Sequence, residues 1–360
     1  MKIYKAAIIG LGPSGLAVNK ILYGDSSYEI IAFENGDVKN RDNFFGFWLT
    51  DWMSPFENII EKKWYKWNIG DKNINVIHSS NDKPYCVIRF KNWKRYCLET
   101  KNKLEIKNKQ VIKYFPVQNY FKIITADNKE YYAEKIYDSR SVKEKKGELI
   151  QHFFGINITV ANNTFDEKKL TLMYFTEEND VLHFIYLLPF SHNKALVEST
   201  VFSKETFHTS WYREKINRYL KLKNIIEYEE NGTEKGIIPM FFSEEKKSPY
   251  SNIFNIGIRG GACKPSTGYA FCFLIKQIQL LKNSKKNYVN IHKFLERKMD
   301  KIFINFLKNN NENGQSFINL ASNLNGDEFQ SFMMGQSNLL TKLKIIKSMP
   351  KLQFLKEVFK

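Results

Sequence analysis

Lys5-Ala6-Ala7-Ile8-Ile9-Gly10-Leu11-Gly12-Pro13-Ser14-Gly15 is the stretch that decides the fold. Lys5–Ile9 is a short apolar run of strand length, and Ser14–Tyr23 carries helical spacing, so the glycines fall in a strand-to-helix turn. They match G-x-G-x-x-G. Gly10 permits the tight turn, Gly12 lets a pyrophosphate approach the backbone across Pro13 and Ser14, and Gly15 lets helix and strand pack closely. The start of the helix adds free N–H groups and partial positive charge, both suited to phosphate. Glu29–Phe33 is a second β-rich run, and Glu34 closes it 19 residues after Gly15, where a carboxylate accepts hydrogen bonds from an adenosine ribose. An acid at that position favours FAD or NAD over NADP.

A second glycine-rich turn lies far along the chain. Gly257-Ile258-Arg259-Gly260-Gly261-Ala262-Cys263-Lys264-Pro265-Ser266-Thr267-Gly268-Tyr269 follows the apolar run Ile253–Ile256 and precedes a helical stretch. A dinucleotide that extends beyond its first phosphate site would meet a second set of backbone N–H groups there, which suits FAD. Gly260, Gly261, Pro265, Ser266, Thr267 and Gly268 are the candidate contacts.

Composition narrows the class. The 360 residues hold 55 Lys and Arg against 38 Asp and Glu, a net charge of +17, with 43% hydrophobic and 15% aromatic residues. Bulk disorder is excluded by the apolar content, and the length allows two or three structural units. Cys86, Cys97, Cys263 and Cys272 form no C-x-x-C pair and sit in apolar stretches, so they read as buried reduced thiols in a cytosolic setting. No window reaches the roughly 18–20 apolar residues of a membrane span, and the glycine-interrupted first stretch is a poor signal peptide. The diffuse positive charge comes without a Cys/His finger, an aromatic RNA-binding signature or an Arg stripe, which argues against nucleic acid. The six histidines show no metal-ligand spacing.

Between the two turns the pattern changes character. Trp48–Ser79 reads as short antiparallel strands, Trp93–Lys103 as a surface helix, and Phe121–Ile124 with Tyr131–Tyr137 as a hairpin leading into Asp138 and Arg140. Lys143–Lys146 with Gly147 reads as a polar connector. Strands are predicted at His152–Ile158, Leu170–Phe175, Val181–Leu188 and Ala195–Phe202, helices from Tyr269 onward, and a polar break at Asn309–Gln315. The fold class is therefore α/β. A FAD-binding Rossmann-like parallel sheet of flavin hydroxylase or reductase type (residues 1–45, 85–145 and 248–300) accompanies an antiparallel-sheet substrate domain (46–84 and 146–247) and a helical C-terminus (301–360).

These pieces together resemble the lycopene cyclases, flavoproteins of carotenoid biosynthesis. The late turn is similar to their G-x-R-G-G…P-[ST]-T-G-Y element, Phe44-Phe45-Gly46-Phe47-Trp48 to an early aromatic G-x-W segment, and Tyr137-Asp138-Ser139-Arg140 to [IV]-D-[AS]-R. Gln151–Gly155 resembles Q-x-F-x-G, Phe165-Asp166 with Leu172-Met173 resembles F-D…L-M-D-F, and Leu187-Leu188-Pro189 with Leu196–Thr200 resembles LP…LVExT. Phe332-Met333 and Met349-Pro350-Lys351 resemble the closing F-M…M-P-K. Three positions depart from the pattern: Tyr174 stands for the Asp of L-M-D-F, Lys264 for the His that often precedes the late proline, and Trp48 where one branch carries His.

The resemblance implies redox-neutral cyclisation of lycopene end groups, most readily to β-rings, with FAD working in its reduced state and NADPH or NADH as reductant. Such a reaction protonates a terminal alkene, closes a ring through a tertiary carbocation and loses a different proton. It requires a carboxyl in an apolar setting, aromatic faces and fixed negative charge, with water excluded. Alternation in Ala195–Phe202 puts Glu198 on one face with Leu196, Thr200 and Phe202, and the other face is apolar too, so Glu198 should be buried with a raised pKa as a proton donor. In the resembling family this glutamate is assigned to acid–base catalysis or cation stabilisation. Trp48 is the aromatic candidate. Asp138 and Arg140 read either as structural or as flavin-facing.

Lycopene is dissolved in the bilayer, so a chain acting on it must dock there. Lys342, Lys344, Lys347, Lys351, Lys356 and Lys360 alternate with Leu339, Leu340, Leu343, Ile346, Leu352, Leu355 and Phe359, which suits either a helix in the headgroup layer or one packed on the protein with snorkelling lysines. The expected location is cytoplasmic, peripheral to the inner face of the membrane. A flavin monooxygenase or polyprenyl reductase of the same architecture is the rival reading, and a basic flavoprotein binding RNA a second.

Overall fold

The computed structural model describes residues 1–36, 42–142, 146–178, 181–243, 247–309 and 314–350. β1 (Ile3–Tyr4) is followed by β2 (Ala6–Ile9), buried along its whole length. The glycine turn then opens α1 (Pro13–Ala17), which widens into a π-helical stretch over Val18–Leu22 before β3 (Glu29–Phe33). Buried Asn19 occupies that stretch and donates to the Cys97 carbonyl at 2.9 Å. Next come β4 (Phe44–Trp48), a 3-10 stretch at Asp51–Ile59, and β5 (Lys62–Trp64), β6 (Lys66–Gly70), β7 (Asn75–Ser79) and β8 (Tyr85–Arg89). α2 (Phe90–Leu98), β9 (Lys103–Lys107), β10 (Val111–Val117), β11 (Tyr120–Thr125), β12 (Glu130–Ala133) and β13 (Ile136–Asp138) complete the first part.

The central sheet has the order β19-β13-β2-β3-β9, β19 being Ile253–Asn255, and every adjacent pair in it is parallel. A sheet covered on both faces has strands that are apolar throughout, as Ala6–Ile9 and Ile30–Phe33 are. Because β2, β13 and β19 are neighbours, the turns that follow them gather at one end.

Three expectations need correction. The helix read at Trp93–Lys103 runs from Phe90 to Leu98, and Lys103 instead begins β9. Its outer face is exposed at Lys91 and Arg95, while Trp93 and Cys97 are buried and the Trp93 indole donates to the Pro13 carbonyl at 3.2 Å. Tyr131–Tyr137 is two strands in two sheets. β12 pairs with β11, whereas β13 joins the central sheet, and the chain crosses at Glu134 and Lys135, whose backbones bond to Tyr4 and Ala7. Asp51–Ile59 is helical where strands were read, with Pro55 inside it.

The larger sheet holds β18-β14-β17-β16-β15-β6-β7, with β14 (Ile150–Thr159), β15 (Lys169–Thr176), β16 (Leu182–Pro189), β17 (Lys194–Ser203) and β18 (Glu229–Pro239). α3 (Thr209–Leu222) covers one face, where Ile185, Val197 and Val201 pack with Ile216 and Leu220. On the opposite face Phe184, Leu196 and Phe202 join the main core together with Ile8, Leu16 and Phe271. α4 (Phe271–Lys282), α5 (Phe294–Asn309), α6 (Gln315–Asn323), α7 (Gly326–Met333) and α8 (Leu339–Ser348) close the fold, and Phe306, Phe317 and Phe329 anchor them in the same core. Among the described residues no helix is long and apolar enough to cross a membrane. Most of the connector at 143–146, the centre of the break at 309–315, and Lys351, Leu352, Leu355, Lys356, Phe359 and Lys360 lie outside the described residues.

Candidate active site

The two glycine turns touch. Gly10 has φ +90 and Gly257 φ +64, a region that L-residues with a Cβ seldom adopt, and a Cβ on Gly257 would lie 2.2 Å from the Ser14 hydroxyl oxygen. A Cβ on Gly15 would strike the Gly10 carbonyl at 2.0 Å, whereas one on Gly12 would meet nothing within 4 Å. Gly12 therefore borders open space at an N-terminus where it makes no side-chain cap. This is the cradle a pyrophosphate requires. Glu34 is buried and its carboxylate accepts the Leu11 N–H at 2.6 Å, so the acid at the end of β3 reaches the turn.

Gln277 of α4 holds the late turn, accepting from the Gly257 N–H at 2.7 Å and donating to the Gly260 carbonyl at 2.8 Å. Gly268, with φ +70, lies against the side chain of Gln151, whose Oε1 is buried without a hydrogen-bond partner, as is the Thr267 hydroxyl. Open space at Gly12 and unpartnered polar atoms at Gln151 and Thr267 fit a long polar cofactor laid along both turns. The Ser266 hydroxyl is otherwise engaged: it donates to Asp300 Oδ1 of α5 at 2.6 Å, and Lys264 forms a buried ion pair with the same oxygen.

Asp138 ends β13 fully buried. It accepts from the Arg140 backbone at 3.0 Å, from the Arg140 guanidinium at 2.6 Å and from the Tyr114 hydroxyl at 3.0 Å, with Arg259 of the late turn 3.7 Å away. Burial alone would raise its pKa; the hydrogen bonds and charge of Arg140, with Arg259, outweigh that and hold it below the ordinary value. Asp138 and Arg140 thus brace the junction between the two turns.

Glu198 lies deep in the larger sheet, as alternation along β17 required. One transverse row crosses four strands there: Tyr186 of β16 faces Glu198 of β17, Glu198 faces Gly155 of β14, and Gly155 faces Glu234 of β18. Gly155 has no side chain, so the carboxyls of Glu198 and Glu234 meet above it in hydrogen-bond contact. A Cβ at Gly155 would stand 3.3 Å from Glu234 Cγ and 3.4 Å from Glu198 Cβ. Thr200 donates to Glu198 at 2.6 Å, and the Phe44 N–H to Glu234 at 3.0 Å. Burial pushes Glu198 up to about 7, an effect the hydrogen bonds of Thr200 and Glu234 restrain. Burial and then the Glu198 charge push Glu234 well above the usual carboxylate range.

A cluster of phenols joins this row to the late turn. The Tyr186 hydroxyl donates to that of Tyr85 at 2.9 Å, and the Tyr269 hydroxyl to the same oxygen at 3.3 Å. Burial raises the pKa of all three, so they stay neutral. Gly46 passes beneath them, where a Cβ would lie 2.2 Å from the Tyr85 oxygen. Trp48 is fully buried, edge-on to Tyr85 at 4.8 Å and 5.4 Å from the Tyr269 ring. Glu198 and Trp48 therefore belong to one aromatic site contiguous with Tyr269, while Gly10–Gly15, Glu34 and Asp138 form the neighbouring junction.

Reading the sequence missed Glu234. The run Glu229–Lys235 looks like a solvated charged strand, and Glu229–Thr233 are indeed exposed while Glu234 is buried. The available signal was Gly155, a glycine inside an otherwise apolar strand, which marks a close approach.

The lycopene cyclase protein family matches residues 6–358. Among curated proteins none matches the chain significantly. Similar solved structures include a geranylgeranyl bacteriochlorophyll reductase-like protein from Thermoplasma acidophilum, at TM-score 0.65 and 12% identity over 100% of this chain and 99% of that one. Klebsiella pneumoniae HpxO complexed with FAD and uric acid aligns at TM-score 0.63 and 12% identity, covering 93% and 97%. The halogenase PltM aligns at TM-score 0.56 and 9% identity, covering 92% and 78%. At these identities the likeness is one of fold.

Proposed function

The chain belongs to the lycopene cyclase family, and we propose that it is a lycopene β-cyclase, converting lycopene end groups to β-rings without net redox change and so acting as an isomerase. The observation that carries this reading is the Glu198 carboxyl buried in the larger sheet beside the Tyr186 and Tyr85 rings, where burial raises its pKa. An alkene is a very weak base. It is protonated only by an acid that holds its proton at working pH, away from water, beside groups that stabilise a cation.

In this reading FAD would lie along Gly10, Gly12, Pro13, Ser14 and Gly15, with Glu34 on its ribose and Gly260, Gly261, Pro265, Thr267 and Gly268 along its far half; NADPH or NADH would reduce it. Bound and reduced, it supplies fixed negative charge toward a developing cation. Residues 1–45, 85–145 and 248–300 would carry the cofactor, and 46–84 with 146–247 the hydrocarbon. Glu198 gives a proton to the terminal alkene. Trp48 and the Tyr85, Tyr186 and Tyr269 rings present apolar walls that exclude water and π-faces that attract positive charge by up to about 2 kcal/mol.

The substrate's solubility adds an anionic bilayer as docking surface at the inner face of the cytoplasmic membrane. Leu339, Leu340, Leu343 and Ile346 of α8 are all exposed, flanked by exposed Lys344 and Lys347. An apolar stripe edged by lysines suits a headgroup layer of opposite charge. Expression in a lycopene-accumulating bacterium tests the proposal: pigment should shift from red to yellow-orange, and Glu198→Gln should abolish the shift. Consumption of nicotinamide in step with product would favour the reductase or monooxygenase reading instead.

A further inference from the structure

Glu234 has no part in the mechanism so far, yet it is the nearest ionisable neighbour of Glu198 across the bare backbone of Gly155. Among the described residues, the polar groups that act on the pair come from four strands, β17, β4, β16 and β8. Thr200 on β17 and the Phe44 N–H on β4 each donate one hydrogen bond. Tyr186 on β16 and Tyr85 on β8 lie close enough to act on Glu198 electrostatically, and both keep their protons. Arg89 on β8 is the cation that acts on Glu234, but its guanidinium is bound to Glu61 at 2.9 Å and Asp42 at 3.2 Å. Two carboxyls in contact, walled by aromatics and with no dedicated counter-ion among the described residues, do not both ionise.

We propose that Glu198 and Glu234 hold one proton between them, and that Glu234 is a positioning residue that loads Glu198 with that proton and receives the charge left when it departs. The proposal rests on the cyclase reading for its substrate and, for the shared proton, on the register that sets two buried carboxyls on either side of Gly155 and on their electrostatic coupling. The step balances. The alkene π pair forms a new C–H bond with the proton of the pair, leaving two carboxylates opposite the tertiary cation. A second alkene attacks that cation and closes the ring. The C–H pair next to the new cationic carbon becomes the ring double bond, and its proton returns to the pair. Nothing is oxidised or reduced, and the site ends as it began.

Two readouts test this. In the infrared, the carboxylic-acid C=O absorption of the purified protein should titrate in two steps, the second above neutrality. Glu198→Gln and Glu234→Gln should each leave one step, at lower pH than that second one. If the spectra of the single variants simply sum to the wild type, the shared proton is refuted. In the cyclase assay Glu234→Gln should move the alkaline limb of kcat/KM down by about one pH unit, roughly a tenfold loss on that limb, since a like charge no longer holds the proton. Glu234→Asp should restore much of the profile. A Glu234→Gln profile superimposed on the wild type overturns the role of Glu234. A coupled infrared titration in a protein that leaves lycopene unchanged would instead preserve the pair and remove the cyclase reading.

Discussion

Gly155 shows how one residue decides the chemistry. The strand order puts Glu198 and Glu234 on opposite sides of β14, and a Cβ on Gly155 would press on both, 3.3 Å from Glu234 Cγ and 3.4 Å from Glu198 Cβ. Gly155→Ala should therefore fold, since its closest approach is 3.1 Å to the mobile end of Leu196, and should lose most cyclase activity; an unimpaired Gly155→Ala enzyme would show that the contact is idle. The same carboxyls make a stability prediction. A carboxyl whose folded pKa lies above its unfolded value supports the fold fully below the unfolded pKa, and that support is lost as pH rises through the folded one. For Glu198 the window runs from 4.5 to about 7. Glu198→Gln should therefore gain up to about 3 kcal/mol over wild type at pH 8, with the gain vanishing near pH 4. Thermal melts across that range check it, and a gain independent of pH would be inconsistent with a buried titrating group.

Among the elements, α5 and α8 carry separate tasks. Asp300 of α5 holds Lys264 and Ser266, so the late turn is pinned through a buried ion pair. Breaking it with Asp300→Ala should cost about 3–5 kcal/mol, because the buried Lys264 ammonium would lose its carboxylate and keep only the Ser266 hydroxyl. Replacing both residues with apolar ones of similar volume should cost much less, and chemical denaturation of the single and double variants distinguishes the cases. The same ion pair accommodates Lys264, one of the departures from the resembling pattern: its ammonium faces Asp300 of α5. On α8, charging the outer stripe with Leu340→Glu and Leu343→Glu should leave the melting temperature unchanged and reduce binding to vesicles containing anionic lipid. Undiminished binding would remove α8 from the docking surface. Element boundaries were legible where a pattern is local, as in β2, the glycine turn and β14–β17. They were not legible at Lys103 or Lys135, where pairing with β3 and the crossing between sheets, both non-local, determine the outcome.

At the scale of the molecule, the parallel sheet could be read from the first fifteen residues because the turn obeys steric rules that leave few alternatives. The site could be read only in half. Glu198 announced itself by alternation in a strand apolar on both faces, whereas Glu234 sits in a charged run and is buried only because β18 pairs with β14. Tyr85 and Tyr269 likewise meet through contacts that span 184 residues of chain. The assembled picture is of two touching glycine turns joined through Tyr269 to a buried aromatic cluster with the Glu198 carboxyl beside it. A site of that kind suits the proposed redox-neutral ring closure, which leaves the mass of the substrate unchanged. The most direct test is the mass of the product formed from lycopene by the flavin-loaded protein under reducing, oxygen-free conditions. The account predicts a cyclic product of the same mass as lycopene, absent with Glu198→Gln. A product heavier by an oxygen or by two hydrogens would contradict it.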